Sequence, residues 1–371
     1  MERPVAEVGR AESAPMVAML LGGFDPPSRS ADIAAGRRPT NDVEALSAEL
    51  GAVVYDFGWL ERGTSRSQRL LARWARRTRQ WSAALALATA LEVRSADVVY
   101  VSGEDVAVVA CAVSRLLPGR SPRWIVRVER PLYGRTPVRR WLHRRAMRFA
   151  GKAIDLSLCR TNAVGEHLRS HLRIPEARVA TYGQEIDIEF FDPATPPLAR
   201  PPCAPSGQRY VLSGGLERRD YDTLFAAVDG LAITLVVAAG SPWSKEVFDT
   251  DRDVPENVVV GSFGPLEMRE LYRRAAAVVL SVHPTERACG MNVVGEAFAM
   301  ARPVVATATV GLSEYIVDGE TGLLVRPGDP LVMRAAIRRV LADDRLAIRL
   351  GDAGRRDVCD RLALDRFVET V

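Results

Sequence analysis

The chain has 371 residues, 47% hydrophobic and 26% charged. That balance excludes wholesale disorder and fits two or three globular domains at roughly 150 residues each. The net charge of +4 is unevenly spread: residues 1–192 carry 29 Lys and Arg against 22 Asp and Glu, and residues 193–371 carry 21 against 24, so the front half should attract anions more than the back half.

In chain order, residues 1–15 contain acids and no apolar core, which argues against a signal peptide. Residues 16–21 (MVAMLL) predict a buried strand ending at Gly22-Gly23. A helix follows over 41–50, with Asn41 as N-cap and Glu44 placed for a capping box. Strands are predicted at 53–57, 96–101, 124–128 and 154–158, separated by helical stretches. Residues 193–206, rich in proline and small residues, read as an interdomain linker. The rhythm then restarts, with strands at 210–212, 233–238, 257–260, 277–281 and 303–306. Helices are predicted at 222–229, 267–275, 293–300 and from 330 onward. Such alternation predicts an α/β fold of two parallel, helix-covered sheets, 1–192 and 207–371, with a ligand cleft at the carboxyl ends of their strands.

Chemistry concentrates between His283 and Asp329. A loop holding Cys289-Gly290-Met291 leads into a helix starting near Asn292, and the free N–H groups there form a natural anion pocket. Glu296, one turn further, could accept two hydrogen bonds from a ribose diol, or could simply complement the helix dipole. After the first strand of the back half, Gly214-Gly215 precede Arg218 and Arg219, which read either as forks for phosphate oxygens or as solvated loop arginines.

The segment resembles the donor-site signature of retaining GT-B glycosyltransferases of glycosyltransferase family 4, the bacterial mannosyl- and glucosyltransferase type. The likeness is carried by Glu296-Ala297-Phe298-Ala299, Arg302-Pro303-Val304-Val305-Ala306, Gly311-Leu312-Ser313-Glu314 and Asp318–Val325. Gly261-Ser262-Phe263, Leu271-Tyr272 through Ser281, and GQEIDIEFFDP at 183–193 extend it over most of residues 150–355. The resemblance implies GT-B architecture, with an N-terminal acceptor domain (1–192) and a C-terminal domain (207–371) for the nucleotide sugar. It implies that Glu296 holds the nucleotide ribose, that the amides of Gly290, Met291 and Asn292 serve the diphosphate, and that Arg218 and Arg219 neutralise it as it leaves. The family's first acid, which contacts the donor sugar, falls at Ala288; Glu286, two residues earlier, is the replacement this chain offers. Gly22 and Gly23 match the glycine loop that approaches the donor phosphates across the cleft, where a missing Cβ allows close approach. Where family members often carry a catalytic-site His, this chain has Glu129-Arg130; Glu129 either orients the acceptor hydroxyl or pairs with Arg127 or Arg130.

Two stretches give the front half a basic face. Residues 62–79 hold seven arginines and no acid, with Leu70, Leu71, Trp74 interleaved and Trp81 just beyond; residues 123–152 hold ten cations and Glu129 as the one acid. In the second, Val138, Trp141, Leu142 and Phe149 fall at helical spacing, forming a stripe that either packs on the sheet or meets an anionic membrane. No nucleic-acid-reading motif accompanies the charge. The five scattered cysteines show no C-x-x-C spacing, His167 and His171 lack a third ligand, and Asp251-Arg252-Asp253 reads as a surface turn. A disulfide framework, a structural zinc site and a metal cofactor are therefore not expected.

These features converge on a cytoplasmic retaining glycosyltransferase, peripheral at the inner membrane face if the basic stripe binds lipid. It would move a sugar from a nucleoside diphosphate sugar to the hydroxyl of a small-molecule or lipid-linked acceptor. The resemblance implies same-face attack, with the leaving phosphate taking the acceptor's proton. A sugar-nucleotide epimerase of the same fold, or a catalytically inactive basic membrane-associated scaffold, are the alternatives.

Overall fold

A computed structural model of the chain describes residues 15–23, 29–129, 137–199, 208–240, 247–249, 252–285 and 289–371. Two six-stranded sheets, parallel throughout, organise it. The front sheet contains β1 (Val17–Leu21), β2 (Val53–Tyr55), β3 (Val98–Ser102), β4 (Arg123–Val128), β5 (Ile154–Cys159) and β6 (Val179–Thr181), in the order β2-β1-β3-β4-β5-β6. The back sheet contains β7 (Tyr210–Gly214), β8 (Thr234–Ala238), β9 (Val258–Gly261), β10 (Ala277–Leu280), β11 (Val304–Thr307) and β12 (Leu323–Val325), in the order β12-β11-β10-β7-β8-β9. The back order is the doubly wound one, whose direction reverses between β7 and β10; the front order reverses between β1 and β3. Ligands of such sheets bind beyond the strand carboxyl ends at the reversal.

The apolar runs become strands because helices cover both faces, which is why β7, β10 and β11 are buried along their whole length. The carboxamide oxygen of Asn41 caps the Asp42–Leu50 helix by accepting from the Val43 and Glu44 N–H groups. The capping box expected of Glu44 is replaced by an ion pair with buried Arg29 at 2.5 Å. Gly351 and Gly354 let the Asp344–Arg361 helix lie directly on the Met291–Ala299 helix and its exit: a Cβ at Gly351 would stand 2.3 Å from the Ala301 carbonyl oxygen, and one at Gly354 2.5 Å from the Phe298 ring.

The chain's end returns to the front sheet. Ile186 exchanges backbone hydrogen bonds with Leu362 and Leu364, and Leu364 and Phe367 pack with Met19, Leu46, Tyr100 and Leu158. The helix Leu364–Thr370 thus completes the front layer from outside the 1–192 span. Residues 193–199 are irregular, and 200–206 lie outside the described residues. Cys111, Cys159 and Cys359 carry free thiols.

Candidate active site

Both sheet reversals carry glycines and face-exposed loops. In the back sheet, β7 runs into Gly214-Gly215 and the arginine loop, while β10 runs into the loop that opens the Met291–Ala299 helix. Backbone pairing fastens the two loops together: Asp220 N–H donates to Ser281 O at 2.9 Å, and His283 N–H to Arg218 O at 3.0 Å. Asp220 then caps the Tyr221–Val228 helix through the Thr223 N–H. Gly214 packs closely, since a Cβ would press on Val293 at 3.3 Å and touch the Tyr272 hydroxyl at 3.8 Å.

The paired arginines part company. Arg218 adopts φ +57° and is exposed, its guanidinium donating to the Pro284 carbonyl at 3.3 Å. Arg219 turns inward, where Nε donates to Gly214 O at 2.7 Å and Nη1 to Glu217 O at 2.9 Å. Its Nη2 lies 2.6 Å from where a Cβ of Gly215 would be, and both Nη atoms lie 3.8 Å from the corresponding point at Gly290. Both glycines have positive φ, +89° and +91°, so the backbone and the missing side chains together admit the guanidinium. Burial holds Arg219 below its ordinary pKa.

Gly290 is the N-cap of the Met291–Ala299 helix, and no side chain caps it. The first N–H groups of the helix, at Met291, Asn292 and Val293, have no intrahelical carbonyl to bond. They open beside Arg219, so one spot combines a guanidinium with a helix N-terminus. The Met291 side chain is buried in the core and Asn292 is exposed, leaving backbone as the part of Met291 that can face a ligand. Glu296 sits one turn on, half-buried, beside the hydroxyl of buried Tyr272; burial pushes its carboxyl up to about 7, partly offset by that hydroxyl. In the sequence Tyr272 stands only within a matching stretch, and nothing in its spacing signals a polar role; in the fold it lies on the buried side of the Pro265–Arg274 helix.

On the front sheet, the Gly22 N–H donates to Ser102 O at 3.2 Å, and Gly23 O accepts from Phe57 N–H at 2.9 Å, placing both glycines at the β1/β3 reversal. Glu129 follows β4 with its side chain 51% exposed, and Oε1 accepts from Arg160 at 3.1 Å, with Arg127 at 3.4 Å. Arg127 and Arg160 also hold buried Glu185, at 2.9 and 3.4 Å, and Arg127 pairs with Asp42. Burial pushes the Glu185 carboxyl up to about 8, against the pull of Arg127. The pairing foreseen for Glu129 is thus present through Arg127, joined by Arg160, which the sequence did not single out; Arg130 lies outside the described residues.

Gly214, Arg219, Gly290, Met291 and Glu296 therefore gather at the back-sheet reversal, Arg218 stands at its rim, and Gly22, Gly23 and Glu129 belong to the opposite sheet. Glu286 and Ala288 lie outside the described residues. Among the described residues no group of three or more His, Cys, Asp or Glu could hold a metal ion; His167 and His171 stack, ring centroids 4.4 Å apart, and His171 Nδ1 lies 2.8 Å from Ser170 Oγ. Of Asp251-Arg252-Asp253, Asp251 lies outside the described residues and Arg252 pairs with Asp222.

Two Rossmann-like sheets, the second with a guanidinium beside an uncapped helix start at its reversal, define the GT-B class of fold. Residues 208–343 match the family described as glycosyl transferases group 1. The chain is 38% identical over 200 residues to a D-inositol 3-phosphate glycosyltransferase of Xylanimonas cellulosilytica, covering 48% of this chain and 46% of that one. It is 31% identical over 162 residues to a GDP-mannose-dependent phosphatidylinositol monomannoside mannosyltransferase of Mycolicibacterium smegmatis, covering 40% and 42%. The matches to these relatives span less than half of their lengths. The Anabaena protein HepE, solved with UDP-glucose, superposes with a TM-score of 0.67 at 14% identity, covering 96% of this chain and 98% of that one.

Proposed function

We propose that the protein is a retaining glycosyltransferase that takes a sugar from a nucleoside diphosphate sugar to an acceptor hydroxyl. The observation that carries this reading is the meeting of the inward-turned Arg219 with the uncapped helix start at Gly290. A diphosphate seated there receives N–H groups from the helix and the free edge of the guanidinium, with Arg218 reaching it from the rim. Charge develops on that diphosphate as the sugar leaves, so donors already in place stabilise the transition state without reorganising. No metal cofactor enters this scheme. Glu296 holds the ribose diol, and Glu286 takes the sugar-side role of the acid that Ala288 lacks. Glu129, from the front sheet, orients the acceptor hydroxyl, and Gly22-Gly23 allow the front backbone to approach the phosphates. Retention by same-face attack sends the acceptor's proton to the leaving phosphate. The donor domain runs from 207 to about 362 and is joined by 193–206 to the acceptor domain 1–192, which the returning helix Leu364–Thr370 completes.

The test is thermal stabilisation across a panel of UDP-, GDP- and ADP-sugars, because a ligand bound to the folded state raises its melting point. At least one should raise it by several degrees when present at about 100 times its Kd, and product analysis with that donor should show a glycoside only when acceptor is added. No stabilisation by any nucleotide would exclude the reading; an altered free sugar formed without acceptor would establish an epimerase.

The acceptor side favours an anionic lipid surface as its partner. No helix among the described residues is long and apolar enough to cross a membrane. Yet the Arg66–Thr78 helix exposes Leu70 and Trp74 while burying Ala72 and Ala75. The Pro137–Ala150 helix exposes Trp141, Leu142 and Phe149 and buries Met147 and Ala150. Leu70, Trp74, Trp141, Leu142 and Phe149 thus stand exposed among arginines, as expected of helices lying at an interface. The protein should co-sediment with phosphatidylglycerol vesicles and not with phosphatidylcholine, and 0.5 M salt should release it. Equal partition onto both lipids would refute the electrostatic docking.

A further inference from the structure

Between the two sites stands a single helical turn, Leu312–Tyr315, following β11. One end is tied to the donor side. Leu312 is fully buried, and its Cδ2 lies 3.5 Å from where a Cβ of Gly290 would be. Just upstream, the Thr307 hydroxyl bonds both the N–H and the carbonyl of Val282, the residue bridged to Arg219. The Leu312 N–H donates to Thr309 Oγ1 at 3.3 Å, which seats the turn on that loop.

The other end reaches across to the front domain. The Glu314 carboxylate accepts from two consecutive backbone amides, Asn162 N–H at 2.6 Å and Ala163 N–H at 3.1 Å. These are the first two residues of the helix Asn162–His167, and Thr161 Oγ1 accepts from the third amide, Val164, at 3.2 Å. A residue about 150 positions away thus supplies the cap that helix starts normally draw from their own segment, with a charge that suits the helix dipole. Beside it, the buried Tyr315 hydroxyl donates to the Arg160 carbonyl at 3.1 Å. Gly183, at φ +85°, packs beside that hydroxyl: a Cβ there would stand 3.4 Å from it and 2.6 Å from Leu362. Arg160 is the residue whose guanidinium holds Glu129 at 3.1 Å.

We propose that Glu314 and Tyr315 are positioning residues, which carry occupancy of the donor site at Gly290 through the Leu312–Tyr315 turn to the Asn162–His167 helix and to Arg160, and so set the acceptor-side Glu129. The inference rests on the donor-site reading above. Its physical content is that ordering the Gly290 loop fixes Leu312, and the fixed turn holds its two front-domain bonds more of the time. Domain closure and acceptor-site assembly then become one event.

The test is hydrogen exchange of the full chain, with and without saturating UDP, GDP or ADP, in the parent protein and in Glu314→Ala, Glu314→Gln and Tyr315→Phe. In the parent, nucleotide should slow exchange at Asn162 and Ala163 about tenfold, the scale of one charge-assisted hydrogen bond. Glu314→Ala should abolish that response while keeping nucleotide protection around Gly290–Glu296. Glu314→Gln, which keeps a neutral acceptor, should retain part of it. Tyr315→Phe, the mildest change, should speed exchange near Arg160 and leave the Asn162 response reduced. If nucleotide protects Gly290–Glu296 but leaves Asn162 and Ala163 unchanged, or if Glu314→Ala responds like the parent, the coupling is overturned and the donor site stands. If none of UDP, GDP and ADP protects Gly290–Glu296, the donor-site reading fails and the coupling falls with it.

Discussion

Replacing Arg219 by alanine is expected to lower sugar transfer by about a hundredfold to a thousandfold, the usual effect of removing one preorganised donor from a site of developing charge. The prediction concerns Arg219 more than its neighbour. Arg219 is turned inward against Gly214, Gly215 and Gly290, so its charge is already desolvated and held in place. Arg218 is exposed, and solvent weakens whatever it contributes; Arg218→Ala should cost about tenfold or less. Two of Arg219's donors satisfy the Gly214 and Glu217 carbonyls, so alanine could also loosen the loop. Arg219→Lys separates these effects, because an ammonium restores the charge without the fork. Single-turnover release of nucleoside diphosphate is the measurement, with the melting temperature as control. Near-normal turnover in a folded Arg219→Ala protein would remove the guanidinium from the mechanism.

Much of this was legible in the residues, and what was not has a common cause. Apolar runs bounded by glycine marked most strands, because a strand buried on both faces must be continuous in its apolar character. β6, three residues long and only partly buried, left too short a signal. Gly214-Gly215 and Gly290 announced a close approach, but not that a guanidinium occupies the space their side chains would have taken. Glu129 was visible as an acid amid arginines, while the Asp42, Arg127, Arg160 and Glu185 cluster was not, since its members come from four separated segments. Nothing local distinguishes Glu314, whose partners lie about 150 residues upstream. Nor does the amphipathic end of the chain reveal that Leu364 and Phe367 fold back on the first strand. Local chemistry is written in spacing; partners assembled across domains are not.

Glu296 gives the other large expected effect, and pH exposes it. Burial raises its carboxyl to about 7 in the folded protein, from 4.5 ordinarily. The folded state therefore holds this proton more tightly than the unfolded chain. The resulting stabilisation is complete below about pH 4.5 and is lost as pH rises through about 7. Glu296→Gln, which cannot ionise, should flatten that decline, so the melting curves of parent and variant should diverge between pH 5 and 8. Nucleotide reverses the preference. A ribose diol has two hydroxyls to donate, and only the ionised carboxylate accepts both without offering a competing proton. Binding should therefore lower the pKa, release a proton near pH 6.5, and tighten in the parent as pH rises through 7. Calorimetry in buffers of different ionisation enthalpy measures that release, and the parent-minus-variant difference removes the titration of the phosphates. Glu296→Gln should lose the released proton and weaken nucleotide binding about tenfold to a hundredfold, the worth of one to two hydrogen bonds to a charged acceptor. Equal proton release from parent and variant would mean that the diol is held elsewhere. The carboxylate would then serve the helix and Tyr272 alone.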